Sequence, residues 1–90
     1  MMLKITKTSE NGRNVHLTLE GKVTDQWAAL LDGVCRAHLR DLKTVQLDCA
    51  HVDFVDASGV VVLKNFPREQ VTLTSTPGFV TQLLLTGEKS

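Results

Sequence analysis

Ninety residues carry ten lysines and arginines against ten aspartates and glutamates, so the chain has no formal net charge. That balance gives no electrostatic footprint for nucleic acid or a membrane surface, and no apolar run is long enough for a signal peptide or a membrane span. A hydrophobic content of 42% supports one compact core and 22% charged residues an ordinary surface, which predicts a single cytoplasmic domain over residues 1–90.

Leu3 and Ile5 alternate with Lys4 and Thr6, which predicts a short first strand. Ser9-Glu10-Asn11-Gly12 carries an Asn-Gly turn signal, and Val15, Leu17 and Leu19 then alternate with His16, Thr18 and Glu20. Together they predict a β-hairpin whose loop is longer than two residues. Gly21 breaks the alternation, and a helix is expected from Thr24-Asp25 with Thr24 as its N-cap. Trp27, Leu30, Leu31, Val34 and His38 fall at helical spacing, flanked by Cys35 and Leu42. Gly33 interrupts that helix at a cost of about 1 kcal/mol relative to alanine. Arg36 and Arg40 lie toward its C-terminal end, where positive charge is favoured.

Val45, Leu47 and Cys49 alternate with Gln46 and Asp48, a half-buried strand followed by a turn through Val52 to Val55. Asp56-Ala57-Ser58-Gly59 then reads as an aspartate N-cap opening a second helix. Gly59 and the valines at 60–62 oppose a helix by propensity, and Pro67 limits it. After a polar connection over 67–70, Val71 and Leu73 alternate with Thr72 and Thr74 in the last strand. Thr76-Pro77 is expected to start the last helix, Thr76 as N-cap, with Val80, Leu83 and Leu84 on its buried face. Gly87 is its expected end, and residues 88–90 a frayed tail.

Every strand offers one apolar and one polar face, whereas a doubly wound sheet is apolar on both. The pattern predicts an α/β fold: a mixed sheet, an N-terminal hairpin plus parallel strands, with helices packed mainly on one face and Thr6, Thr18, Gln46, Asp48, Thr72 and Thr74 on the open side.

The functional candidate is the start of the second helix, which could seat an anion or receive a partner's polar group. A helix N-terminus presents free amides and a partial positive charge, and small residues let another backbone approach. Asp56 to Gly59 supplies such a surface, with Asp53 and Phe54 beside it. The plainer alternative is that Asp56 only caps, Gly59 only relieves crowding, and Phe54 packs in the core. His16, His38 and His51 are scattered without ligand spacing, so no metal site, catalytic triad or other cofactor is expected. One glycine without a lysine partner makes no phosphate loop. Cys35 and Cys49 sit at apolar-pattern positions outside any CxxC pair; two buried thiols fit, and a disulfide between them stays open.

The stretch LDCAHVDFVDASGVVVL resembles the central motif of STAS domains, the family of sulphate transporters and anti-sigma factor antagonists. Leu19-Glu20-Gly21 is similar to the end of an early strand of that family, and Leu84-Leu85-Thr86-Gly87 to its last helix. The resemblance implies the same mixed sheet, and a bacterial, non-enzymatic role in transcription regulation. In phospho-switched members the residue after the aspartate accepts the phosphate; here it is Ala57, which has no hydroxyl. Ser58 matches the second serine of the pattern, about 100° further around a helix, and is a minor alternative acceptor. The stretch from Gly59 to Pro67 is also shorter than the family's usual second helix.

With that resemblance, Asp53, Phe54, Asp56, Ala57, Ser58 and Gly59 are expected to bind a protein partner, a kinase-fold anti-sigma factor. The alternatives are a regulatory or structural subunit of a larger complex, such as a lipid-transport ABC system, or a small-ligand or nucleotide sensor. Neither nucleic acid nor direct membrane insertion is expected.

Overall fold

A computed structural model of the chain describes residues 3–86; the expected helix stop at Gly87 and the tail after it lie outside the described residues. Seven elements follow one another: β1 (Leu3–Asn11), β2 (Asn14–Val23), α1 (Asp25–Arg40), β3 (Thr44–Val55), α2 (Ala57–Asn65), β4 (Val71–Thr74) and α3 (Gly78–Thr86). The four strands form one sheet in the order β1-β2-β3-β4, antiparallel between β1 and β2 and parallel between the rest. This is the mixed α/β arrangement that the alternation predicts.

The apolar rows of the strands make the core. Val15, Leu17, Leu19, Val45, Leu47, Cys49 and Val71 are buried, together with Ala28, Leu31 and Cys35 of α1, Leu63 of α2 and Val80 of α3. Both cysteines are free and buried, not paired. The polar rows align across the sheet. Thr6 pairs Thr18, Thr18 pairs Asp48, and Asp48 pairs Thr74; beside them His16 pairs Gln46, which pairs Thr72. All of these side chains are half-buried or exposed, as an uncovered face requires.

Several local expectations are corrected. The hairpin closes on a two-residue turn, Gly12-Arg13, with Asn11 opposite Asn14 and Gly12 at a φ of +62°. β1 therefore runs well past Thr6, and its register slips between Lys7 and Ser9. The expected turn through Val52 to Val55 is instead the end of β3. Two irregularities opposite β2, between Thr18 and Glu20 and between Gly21 and Lys22, each insert an extra β3 residue. Each insertion switches side-chain parity, so burial passes from Cys49 to Val52 to Val55 in steps of three.

The buried stripe of α1 is rotated from the expected one. Ala28, Leu31 and Cys35 face the core, Trp27, Val34, His38 and Leu39 are half-buried, and Leu30 is exposed. The two small side chains, Ala28 and Cys35, let the helix lie close to the sheet. α3 starts two residues after Thr76, at Gly78, with the Pro77 carbonyl accepting its first backbone bonds from the amides of Val80 at 3.0 Å and Thr81 at 3.1 Å.

Candidate functional site

The bulged end of β3 delivers the chain to α2. With parity switched, Val52 and Val55 point into the core while the adjacent Asp53 and Phe54 are both exposed. Phe54 is 48% exposed, which decides between anchor and core residue in favour of a surface position. Lys22, at the end of β2, reaches both: its Nζ is 3.2 Å from Asp53 Oδ1 and 5.7 Å from the centre of the Phe54 ring. An ammonium at that distance over an aromatic face holds the ring in place through its quadrupole.

Asp56 is the N-cap of α2, as expected, in extended backbone conformation. Its Oδ1 accepts from the Gly59 amide at 2.8 Å. Its Oδ2 accepts from a second helix: the Asp25 amide, at 3.2 Å. The Asp56 amide donates to the Val23 carbonyl at 3.2 Å. One residue thus ties together the end of β2 and the starts of α1 and α2. Thr24 occupies the N-cap position of α1, but its side chain makes no capping bond. The Thr24 carbonyl takes the Trp27 and Ala28 amides, and the Asp56 carboxylate supplies the missing side-chain acceptor. Asp25 adopts a φ of +42°, a left-handed conformation in which aspartate is enriched over most residues.

Gly59 lies beneath this surface. A Cβ there would stand 2.3 Å from the Val23 carbonyl oxygen and 2.7 Å from Val55 Cγ1. The backbone whose close approach the glycine permits is the chain's own. Ala57 and Ser58 face solvent, and Val61, one turn further along α2, is 56% exposed. The site residues expected from sequence therefore divide: Asp53, Phe54, Ala57 and Ser58 form the outer surface, and Asp56 and Gly59 hold it from below. Lys22 and Val61 belong to the same surface and escaped sequence reasoning. Lys22 is 31 residues from Asp53, and the valine run carried no sign of which side chain would point outward.

Reactive groups are not gathered here. His16 and His38 are half-buried on β2 and α1, and His51 is exposed on β3. Burial pushes the Cys35 thiol up to about 12 and the Cys49 thiol to about 11, so neither supplies a thiolate nucleophile at neutral pH. Among the described residues, no group of three or more His, Cys, Asp or Glu side chains is placed to hold a metal.

The sheet order, the helices on one face and the capped turn after β3 define a mixed α/β fold. No protein-family model and no curated protein matches the sequence. The solved structure of the anti-sigma factor antagonist SpoIIAA in its unphosphorylated form does match. The TM-score is 0.73 over 93% of this chain and 84% of that one, at 15% sequence identity. At that identity the likeness establishes the fold.

Proposed function

We propose that this chain is a non-enzymatic protein-interaction module of the anti-sigma factor antagonist kind, docking a kinase-fold anti-sigma factor through the surface at the start of α2. The observation that carries the reading is the exposure of Phe54, Ala57 and Ser58 around a turn that Asp56 fixes to two helices, on the fold of SpoIIAA. An aromatic side chain standing at the surface of a rigid turn is the kind of anchor that dominates interface energetics. The backbone of the turn is already held by the two bonds to Asp56, which lowers the entropic cost of docking.

Regulation follows from Ala57. A phosphoserine at the first turn would add nearly two negative charges and reshape the surface. Alanine cannot accept one, so docking at this position is constitutive. Ser58 is exposed, but its hydroxyl leaves the helix in a different direction.

The test is titration of a cognate kinase-fold anti-sigma factor by calorimetry, followed by incubation with ATP. Phe54→Ala should weaken binding by at least about tenfold, the loss expected for a hot-spot residue. Mass spectrometry should find no phosphate between Asp53 and Val61 of the wild type. Equal affinity of Phe54→Ala, or stoichiometric phosphate on Ser58, would overturn the reading. Binding instead to the ATPase subunit of an ABC system would assign the module to that complex.

A further inference from the structure

α1 carries a second apolar face, turned away from the core. At about 100° per residue, Gln26, Trp27, Gly33, Val34 and Ala37 leave the helix within about 60° of Leu30. Leu30 is 47% exposed; Gln26, Gly33 and Ala37 are also exposed, and Trp27 and Val34 half-buried. None of these residues is charged, although charges ordinarily collect on the solvent side of a surface helix. Arg36, which ties α1 to α2, leaves the helix about 120° from Leu30, so α2 lies on a different side. Gly33 has no function inside the fold. A glycine weakens a helix interior relative to alanine, yet a Cβ here would meet no described atom within 4 Å apart from its own helix.

We infer that this face pairs with the same face of a second copy of the chain, the two α1 helices running antiparallel across a two-fold axis beside Gly33. The charge pattern selects that occupant. The first turn of α1 holds Asp25, and the last turn holds His38 and Arg40. An antiparallel pair sets the acidic turn of each copy level with the basic turn of the other and opposes the helix dipoles. A parallel pair would set like charges together. Shape agrees with charge. Gly33 stands at the middle of the 16-residue helix, so the backbones approach there with both helices overlapping along their length. Leu30 of one copy then comes roughly level with the small Ala37 of the other, and the symmetry makes each contact twice. A single helix pair buries less than the standard interface of about 1,600 Å², so the dimer is weak and reversible. It is independent of the docking surface on α2, and either assignment can fail without the other.

The experiment is sedimentation equilibrium of the full chain. The wild type should show a monomer–dimer equilibrium with a Kd at or below about 0.5 mM. Leu30→Gln and Gly33→Gln should each weaken it at least about tenfold. Gly33→Gln should also raise the unfolding midpoint of dilute, monomeric protein, because glutamine is the better helix former and the space is open. Lost association therefore cannot be ascribed to a lost fold. Orientation is read by mild oxidation with oxidised glutathione, the native cysteines being buried. Gly33→Cys should form a disulfide-linked dimer, and Gln26→Cys, far from the axis, should not. A monomer up to about 1 mM would overturn the inference. So would a dimer that both glutamine variants leave intact, or a Gln26→Cys protein that cross-links as readily as Gly33→Cys.

Discussion

Asp56 uses both carboxylate oxygens on backbone amides, one in α2 and one in α1. Asp56→Ala strips an acceptor from two helix starts, and the expected loss is about 2 kcal/mol, the upper end for an N-cap. Asp56→Asn keeps one oxygen but turns an amide donor toward another donor, so it should recover only part of that loss. The midpoint of urea unfolding, with its slope unchanged, measures both. Gly59→Ala should be worse. Its methyl would meet the Val23 carbonyl, and overpacking against backbone costs about 3 kcal/mol. Ala57→Ser, on the exposed side of the same turn, should stay within about 0.5 kcal/mol. The cap itself was legible because Asp56 and Gly59 are near neighbours in sequence. Its bond to Asp25 was not, since only the folded sheet brings together groups 31 residues apart.

At the scale of elements, α1 and α2 start together and are also joined further along. Arg36 bonds Asp32 at 3.1 Å within α1, reaches the Asn65 carbonyl at the end of α2 at 3.4 Å, and stands 5.6 Å from the centre of the Phe66 ring. α1 itself ends in a Schellman arrangement. The Lys43 amide donates to the His38 carbonyl and the Leu42 amide to the Leu39 carbonyl. The left-handed position is filled by Leu42, at a φ of +63° and 71% exposed. A leucine there carries strain that asparagine tolerates better, and little packing is lost with it. Leu42→Asn should therefore stabilise the protein by about 0.5 kcal/mol, read as a higher unfolding midpoint. The elements were legible wherever one periodicity held throughout. It failed at β3, where two extra residues turn a period of two into steps of three that imitate a turn. It failed again in α1, where small Ala28 and Cys35 displaced large Leu30 from the core face.

Across the whole molecule, the two ends of the sheet do different work. At the hairpin end, Glu10 of β1 bonds Lys7 at 2.8 Å and also Lys43, just ahead of β3, which joins the hairpin to the loop after α1. Hydrogen bonds from Lys43 first, and then from Lys7, lower the Glu10 carboxyl from 4.5 to about 2. A lowered carboxyl pKa stabilises the fold above its ordinary value, and the contribution disappears as pH falls from 4.5 toward 2. Glu10→Gln should flatten the stability curve across that window, as measured by thermal melts. Added salt should narrow the difference between the two proteins, because the pairs lie at the surface.

The other end of the sheet carries the proposed docking surface, and Ala57 is its centre. Ala57→Glu places a carboxylate beside Asp56 without disturbing the buried Gly59 seat, while the helix dipole offsets part of the stability cost. The most direct measurement is the affinity of this variant for the anti-sigma factor proposed as its partner, by calorimetry, on protein whose fold has been checked by its amide spectrum. The account predicts a loss of at least about tenfold from like-charge crowding and desolvation. An unchanged affinity in the folded variant would contradict it and remove the start of α2 from the interface.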